Sequence, residues 1–102
     1  SNIMNRYKIG YRYERRVIEE LREKGYFAVR TPASHTPIDI IAINNKGEVL
    51  LIQVKKRKDN NIPKETIEEL EEFAKFFKDA NNVKILLYFF GKDGKKVIEI
   101  KN

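Results

Sequence analysis

The amino-acid sequence predicts an α/β domain whose elements follow the order α-β-β-β-α-β-β. Two observations support this class. In two segments, 6–24 and 64–78, apolar residues recur at intervals of three and four, which is the period of an amphipathic helix. The remaining apolar runs are rich in β-branched residues and are bounded by glycine, proline and asparagine, which is typical of strands and turns.

The first helix is predicted over residues 6–24, and Gly25 follows it as a C-cap. Residues 27–30 then form a short strand, and two prolines make residues 31–37 a loop. The apolar stripe of the helix consists of Ile9, Tyr13, Val17, Ile18 and Leu21.

A hairpin is predicted next, with strands at 38–43 and 48–55 around the turn 44–47. Its first strand is mostly apolar, as expected for a buried position. The polar, basic segment 56–61 is a loop.

The second helix is predicted over residues 64–78, with glutamates crowding the first half, where the helix dipole favours negative charge. Residues 83–90 predict a central strand and 96–101 a final one, joined by the turn 91–94. The apolar face of the helix consists of Ile67, Leu70, Phe73, Ala74 and Phe77.

Length and composition limit the class of protein. The 102 residues suit a single domain, expected over 6–102, after a start at 1–5 that resembles a tag remnant and is expected to be disordered. The absence of cysteine excludes disulfides and thiolate metal sites, and a single histidine excludes a His-rich zinc site within one chain. The chain shows no signal peptide and no apolar run of roughly 18 residues, so we expect a cytoplasmic protein with no membrane partner.

Three residues of the hairpin suggest a metal site. Asp39 stands in an apolar strand, where an ionised carboxylate is costly unless it is paired, solvated or metal-bound. Gln53 and Lys55 point to one face of the next strand because side chains alternate, so in register all three side chains meet. The oxygens of Asp39, Gln53 and the Val54 carbonyl suit Mg²⁺. Lys55 would orient or deprotonate a water, or stabilise charge on a phosphate. The plainer alternative is an edge aspartate and a solvated lysine.

Five motifs between Gly10 and Lys55 occur in a characteristic order and spacing. They are Gly10-Tyr-Arg-Tyr-Glu14-Arg15, Leu21-Arg-Glu-Lys-Gly25-Tyr-Phe-Ala-Val-Arg30, Ala33-Ser34, Ile38-Asp39-Ile-Ile-Ala42 and Gln53-Val-Lys55. With their flanking apolar residues, these motifs resemble the archaeal Holliday junction resolvases, a branch of the PD-(D/E)XK nuclease superfamily. The resemblance covers about residues 6–100.

The resemblance implies a restriction-endonuclease-like core, with a mixed central sheet flanked by helices. It also implies a homodimer that cuts four-way, double-stranded branched DNA with Mg²⁺, for which Mn²⁺ can substitute. Glu14 would complete the acidic metal site, Asp39 would be the principal metal ligand, and Lys55 the catalytic lysine. Arg15 and Arg30 match basic residues that the family uses at the DNA.

Gln53 departs from the family pattern, which usually has glutamate there. The amide carries no charge, so metal affinity falls unless Glu14 compensates, although other branches of the superfamily tolerate Gln. Outside a catalytic site, Gln53 would be an ordinary strand residue. Glu14 would then be a solvated helix residue paired with Lys8 or Arg15.

The loop 31–37 adds two candidates. Ser34 is counted with the catalytic residues because it matches a loop serine of some family members. His35 lies beside it, but a lone histidine on a polar loop is usually just exposed.

A set of basic residues is predicted to contact DNA phosphates and to form a stripe of charge on one face. Such contacts give salt-dependent and largely sequence-independent affinity. A solvated surface is the alternative. The set consists of Arg12, Arg15, Arg16, Arg30, Lys56, Arg57 and Lys58.

Three phenylalanines in the second helix predict a dimer interface. Phe73 and Phe77 suit the core by default, whereas Phe76 points in a different direction, which leaves one ring for an exposed patch. The resemblance places the interface of a twofold dimer at this position.

The leading hypothesis is a Mg²⁺-dependent, structure-selective endonuclease acting on four-way junctions in DNA recombination and repair. One alternative keeps the fold but changes the substrate to linear, flapped or damaged DNA, as in restriction or repair nucleases. The other is a junction-binding protein whose site is catalytically weakened by Gln53.

Overall fold

The computed structural model describes residues 3–32 and 35–101. The elements follow the predicted order. They are α1 (Ile3–Glu23), β1 (Phe27–Arg30), β2 (Ile40–Ile43), β3 (Val49–Lys56), α2 (Lys64–Ala74) with a 3-10 turn at Lys75–Phe77, β4 (Val83–Gly91) and β5 (Gly94–Ile100).

The five strands form one mixed sheet in the order β1-β2-β3-β4-β5. Every neighbouring pair is antiparallel except β3 and β4, which run parallel because α2 carries the chain back between them. This mixed arrangement is the one that the resemblance implied. The predicted hairpin of β2 and β3 is also confirmed, with Ile40 opposite Ile52.

The helix α1 covers one face of the sheet. Its buried residues Val17 and Leu21 are about 1% exposed. They pack against side chains of β1 to β4, which form the larger part of the core on this face: Ala28, Ile40, Ala42, Leu50, Ile52, Tyr88 and Phe90.

The helix α2 covers the opposite face, but only over β3, β4 and β5. Leu70 and Ala74 pack there against the second cluster of buried residues, which contains Ile38, Leu51, Ile85, Leu87, Phe89 and Ile100. On β1 and β2 the same face is open, and Phe27, paired directly opposite Ile43, is 68% exposed.

Several element ends differ from the prediction. The helix α1 begins at Ile3, three residues before the predicted start at residue 6. It ends as predicted, because Gly25 adopts φ 91° and donates its N–H to the carbonyl of Arg22. The helix α2 ends at Ala74 rather than at residue 78, because its last turn tightens into the 3-10 turn.

The strand borders also shift by one or two residues. The strand β2 begins at Ile40 instead of residue 38, β3 runs one residue later than predicted, and β5 begins at Gly94 instead of residue 96. Among the described residues, no helix is both long and apolar enough to cross a membrane.

Candidate active site

Asp39 immediately precedes β2, at the point where the regular pairing with β3 ends. Ile40 pairs with Ile52, and the N–H of Asp39 donates to the carbonyl of that same Ile52 at 2.8 Å. Its carboxylate accepts a 2.8 Å hydrogen bond from the N–H of Val54. The predicted meeting of Asp39 with β3 is therefore present.

Lys55 follows Gln53 by two residues and so shares its face of the sheet. The ammonium of Lys55 is close enough to the carboxylate of Asp39 to favour the ionised form and lower its pKa. Within the described part of the chain, Lys55 makes no hydrogen bond or ion pair. Its charge is thus directed at the Asp39 carboxylate without being bound by another group.

Burial dominates the electrostatics of Asp39 and raises the pKa of its carboxyl from 3.8 to about 6. The hydrogen bond from Val54 lowers this pKa, and the neighbouring carboxylate of Glu14 raises it. The positive charges of Arg30 and Lys55 oppose that repulsion. A bound cation would offset this desolvation cost, because it would neutralise the unpaired negative charge of the buried carboxylate.

Gln53 contributes an oxygen with no protein partner. Its side-chain Oε1 is buried and accepts no hydrogen bond within the described residues. Such orphaned buried acceptors are rare, and an unfilled ligand position is one reason for them. Gln53 directly precedes Val54, whose N–H donates to the Asp39 carboxylate, so both oxygens belong to the same end of the hairpin.

Glu14 reaches the site from α1 through an ion pair with Arg30. The Nε of Arg30 donates to the Glu14 carboxylate at 2.8 Å, and the Glu14 side chain is only 17% exposed. The alternative pairing of Glu14 with Lys8 or Arg15 is wrong, since Arg15 pairs with Glu19. The guanidinium of Arg30 also stacks on the ring of Tyr11, 4.3 Å from its centroid.

These donors fit a hard divalent cation. Asp39 offers an anionic oxygen, Gln53 an unused amide oxygen, and Val54 a carbonyl on the strand edge that faces Asp39. Mg²⁺ takes oxygen ligands, often from one or two carboxylates, and keeps several waters. No group of three or more Asp, Glu, His or Cys residues gathers within residues 3–32 and 35–101. A cation here therefore depends on neutral oxygens, or on Glu14 leaving Arg30.

The basic residues predicted to form one stripe divide between the two flanks of α1. On the β1 flank, Arg15 and Arg30 line a hollow of ≈ 360 Å³ together with Tyr11. On the β4 flank, Arg16 and Lys56 both lie over the ring of Tyr13, at 5.1 and 5.7 Å. The single stripe is wrong because consecutive arginines of a helix point about 100° apart.

The remaining members of the basic set differ in their availability. Arg12 and Lys58 are exposed. Arg57 forms a two-pronged ion pair with Asp59, at 2.9 and 3.0 Å, which holds its guanidinium in place.

The remaining predicted residues lie on the loop 31–37 and among the phenylalanines of the second helix. Ser34 lies outside the described residues. His35 is exposed, and it lines an apolar hollow with the ring cluster of α2. Phe73 and Phe77 pack on the core, whereas Phe76 is 82% exposed, so the expectation that one ring is left over is confirmed.

Two features were missed from the sequence. Tyr11 stands three residues before Glu14, a helical spacing that puts both on one side of α1, and this spacing was the available signal. The other is a clamp between Asn60 and Asp93, in which Nδ2 of Asn60 donates to Asp93 at 2.7 Å. No local pattern links residues that are 33 positions apart.

The mixed sheet with this polar set at the end of β3 defines a restriction-endonuclease-like α/β fold. The model of the archaeal Holliday junction resolvase (Hjc) family matches residues 5–102. The chain belongs to this family, which confirms the resemblance found in the sequence, and membership implies a divalent metal requirement.

Two curated relatives are named crossover junction endodeoxyribonuclease Hjc. The one from Sulfolobus acidocaldarius is 41% identical over 75 residues, and the one from Sulfurisphaera tokodaii is 43% identical over 75 residues. Each match covers 65% of this chain and 51% of the relative. The chain thus spans about half the length of these relatives.

Two solved structures share the fold. The structure of Archaeoglobus fulgidus Hjc, a Holliday junction resolvase from an archaeal hyperthermophile, has a TM-score of 0.67 and 26% identity, covering 89% of this chain and 72% of that one. A repair endonuclease from Pyrococcus abyssi has a TM-score of 0.55 and 17% identity, covering 79% of this chain and 38% of that one. The second likeness concerns the fold alone.

Proposed function

We propose that this protein is a Mg²⁺-dependent endonuclease that cuts the phosphodiester backbone of four-way DNA junctions, with Mn²⁺ able to substitute. The single observation that carries the proposal is that the Asp39 carboxylate binds the N–H of Val54 close to Lys55, on a strand segment where Gln53 has a buried, unpartnered oxygen. The names of the family and of its relatives support the choice of substrate.

Asp39, Gln53, the carbonyl of Val54 and, after release from Arg30, Glu14 would hold the cation. When bound, the cation supplies a Lewis acid that stabilises the charge gathered on the phosphate. The N–H of Val54 fixes the rotamer of Asp39 before any ligand arrives. This preorganisation removes a cost that a flexible carboxylate would pay on binding.

Lys55 is the catalytic residue that touches the phosphate. Its side-chain nitrogen would donate hydrogen bonds to the non-bridging oxygens, where negative charge grows during attack by water. Lys55 lies close enough to Asp39 to lower its pKa, so the lysine would contact a phosphate beside a cation held by Asp39. Ser34 is retained as a candidate donor to the same phosphate.

The basic set would hold the DNA backbone around this site. Arg15 and Arg30 serve one flank of α1, and Arg16 and Lys56 the other. The ring of Tyr11 beneath Arg30 and the ring of Tyr13 beneath Arg16 and Lys56 limit side-chain motion, which lowers the entropy lost on binding phosphate. Arg12, Arg57 and Lys58 complete the set.

A homodimer is part of the proposal, since a four-way junction requires two cuts. Phe76 is 82% exposed and lies 6.0 Å from Phe73 and 6.4 Å from Phe77, measured between ring centroids. A second copy that covered these rings would bury apolar area that is otherwise in water. Analytical ultracentrifugation of the wild type and of Phe76→Glu tests this, because the variant should sediment as a monomer.

The function is tested with a labelled four-way junction in Mg²⁺ or Mn²⁺, compared with linear, nicked and flapped DNA of equal length. The wild type should cut the four-way form at least tenfold faster than the others. Asp39→Asn should lose cleavage, while the matched control Asp79→Asn, at an exposed position after α2, should keep it. Equal cutting by Asp39→Asn would show that the assigned site is wrong, and preference for another DNA would favour a restriction- or repair-type nuclease.

A second candidate function is junction binding without efficient cleavage. The neutral Gln53, and the absence of a three-acid group within the described ranges, favour this reading over a fully charged site. Calorimetric titration with Mg²⁺ separates the two functions. Absence of metal binding at millimolar concentration, together with tight junction binding and cleavage gained only by Gln53→Glu, would identify a binder.

A further inference from the structure

The turn between β4 and β5 carries lysines that the proposed DNA-binding set does not include. Lys92 lies in the turn, and Lys96 lies in the first part of β5. Both are exposed. Together, segments 55–59 and 92–96 contain seven basic and two acidic residues, a net charge of +5 against +6 for the whole chain.

The sheet places Lys96 in the same row as the catalytic lysine. Lys55 pairs with Phe89 across β3 and β4, and Phe89 pairs with Lys96 across β4 and β5. All three side chains belong to the α2 face, since Phe89 is part of its core. With strands about 4.8 Å apart, the Cα atoms of Lys55 and Lys96 are roughly 10 Å apart.

A network of hydrogen bonds fixes the turn against the basic loop after β3. Asn60 donates to the Asp93 carboxylate at 2.7 Å and accepts from the Asp93 N–H at 3.1 Å. The N–H of Lys92 donates to the carbonyl of Asp59 at 3.0 Å. A Cβ on Gly91 would lie 2.9 Å from that same carbonyl oxygen, so glycine permits this close approach.

The acids of this end are already engaged, whereas three of its lysines are available. Asp59 pairs with Arg57, and Asp93 pairs with Asn60. Within residues 35–101, the ammonium groups of Lys58, Lys92 and Lys96 have no ion pair or hydrogen bond, whereas Lys95 pairs with Glu20 of α1. At the opposite end of the sheet, Lys84 pairs with Glu48 and Lys101 pairs with Glu99.

We infer that the β4–β5 turn is a second phosphate-binding surface, which holds the backbone of the DNA arm leading away from the scissile phosphate. This inference rests on the proposed function. The row from Lys55 through Phe89 to Lys96 gives the direction of the backbone, and Lys92 and Lys58 extend the positive surface beyond it. Contact with phosphate is independent of base sequence, so the surface contributes affinity and orientation rather than sequence preference.

The test measures binding of a fluorescent four-way junction in EDTA by anisotropy, over a series of salt concentrations. The Lys92→Gln/Lys96→Gln variant should bind about tenfold more weakly than the wild type. The slope of log K against log salt should become less negative by about two, because two phosphate contacts are lost. The matched control Lys46→Gln/Lys84→Gln, at the opposite end of β3 and β4, should keep the wild-type affinity and slope.

A charge-keeping variant, Lys92→Arg/Lys96→Arg, should restore both quantities, which excludes a folding defect as the cause. If Lys92→Gln/Lys96→Gln binds like its matched control while the wild type binds and cuts junctions, the inference that this turn binds phosphate is overturned. The proposed function stands in that case. If the wild type neither binds nor cuts a junction, both are overturned.

Discussion

The carboxylate of Asp39 accepts a hydrogen bond from the backbone N–H of Val54. Just before β2 begins, a side-chain oxygen therefore replaces the backbone carbonyl that a paired strand would supply. This contact holds Asp39 against β3, close to Lys55. The site is therefore built by the register of the hairpin.

In the absence of metal, the buried carboxylate of Asp39 should lower the free energy of unfolding at neutral pH. Its folded pKa is about 6 and its unfolded value is 3.8, so between these values the folded state holds more protons. Stability therefore falls as pH rises from about 4 to about 6 and stays lower above that. After allowance for partial solvation, the penalty is about 1–2 kcal/mol at pH 7.

Asp39→Asn should consequently be more stable than the wild type in EDTA at pH 7, by about 1–2 kcal/mol, because the amide oxygen keeps the bond from Val54 without the charge. The difference should vanish near pH 4. Urea denaturation at both pH values measures this. A wild type that is the more stable protein at pH 7 would contradict the burial argument.

Cleavage should depend on the ionisation of the same carboxyl. At subsaturating Mg²⁺, the rate should fall about tenfold for each pH unit below about pH 6, because the protonated acid cannot hold the cation. Raising Mg²⁺ should shift the midpoint to lower pH, since cation and proton compete. Initial rates from pH 5 to 8 at two Mg²⁺ concentrations provide the measurement. A midpoint that does not change with Mg²⁺ concentration would show that the titrating group does not hold the cation.

Gln53→Glu should bind Mg²⁺ more tightly than the wild type, by about tenfold, because it adds a second anion one residue before Val54, the contact of Asp39 on β3. Gln53→Leu removes the orphaned oxygen at similar volume and should bind Mg²⁺ more weakly. Isothermal titration calorimetry of the three proteins gives the order. Equal affinities would show that residue 53 does not face the cation.

Tyr11 should act as a positioning residue through Arg30. The Tyr11 ring stacks on the guanidinium of Arg30, a proposed phosphate contact, and a cation–π contact of about 1 kcal/mol corresponds to roughly a fivefold change in rate. Tyr11→Leu should lower the cleavage rate by about this factor, whereas Tyr11→Phe, which keeps the ring, should restore it. Both rates are measured under single-turnover conditions, and equal losses in the two variants would point to the hydroxyl instead.

Gly91→Ala should destabilise the fold by about 1–3 kcal/mol. The added methyl would lie 2.6 Å from Cε2 of Phe89 and 2.8 Å from Oδ1 of Asn60, so the loop after β3 would have to move. Gly94→Ala strains a backbone at φ 110° without meeting any atom within 4 Å, and it provides a comparison at the same turn. Thermal unfolding distinguishes the two causes. Unchanged stability in Gly91→Ala would show that the loop is not held there.

The order of the elements was predictable because apolar periodicity and turn residues are local signals. The contact of Asp39 with β3 was also accessible, since two neighbouring strand patterns joined by a turn predict a hairpin. The pairing of Glu14 with Arg30 was not, because the two residues come from elements that meet only through the packing of α1 on the sheet. For the same reason, the sequence predicted a single stripe of basic residues, whereas the packing of α1 divides them between its two flanks.

The most direct test of the central claim is the single-turnover cleavage rate of a four-way junction in Mg²⁺ by the wild type and by Lys55→Met, with junction affinity measured alongside. If Lys55 faces the reacting phosphate beside Asp39, the variant should bind the junction within about threefold of the wild type and cut it at least about a hundredfold more slowly. Cleavage by Lys55→Met at the wild-type rate would contradict the account.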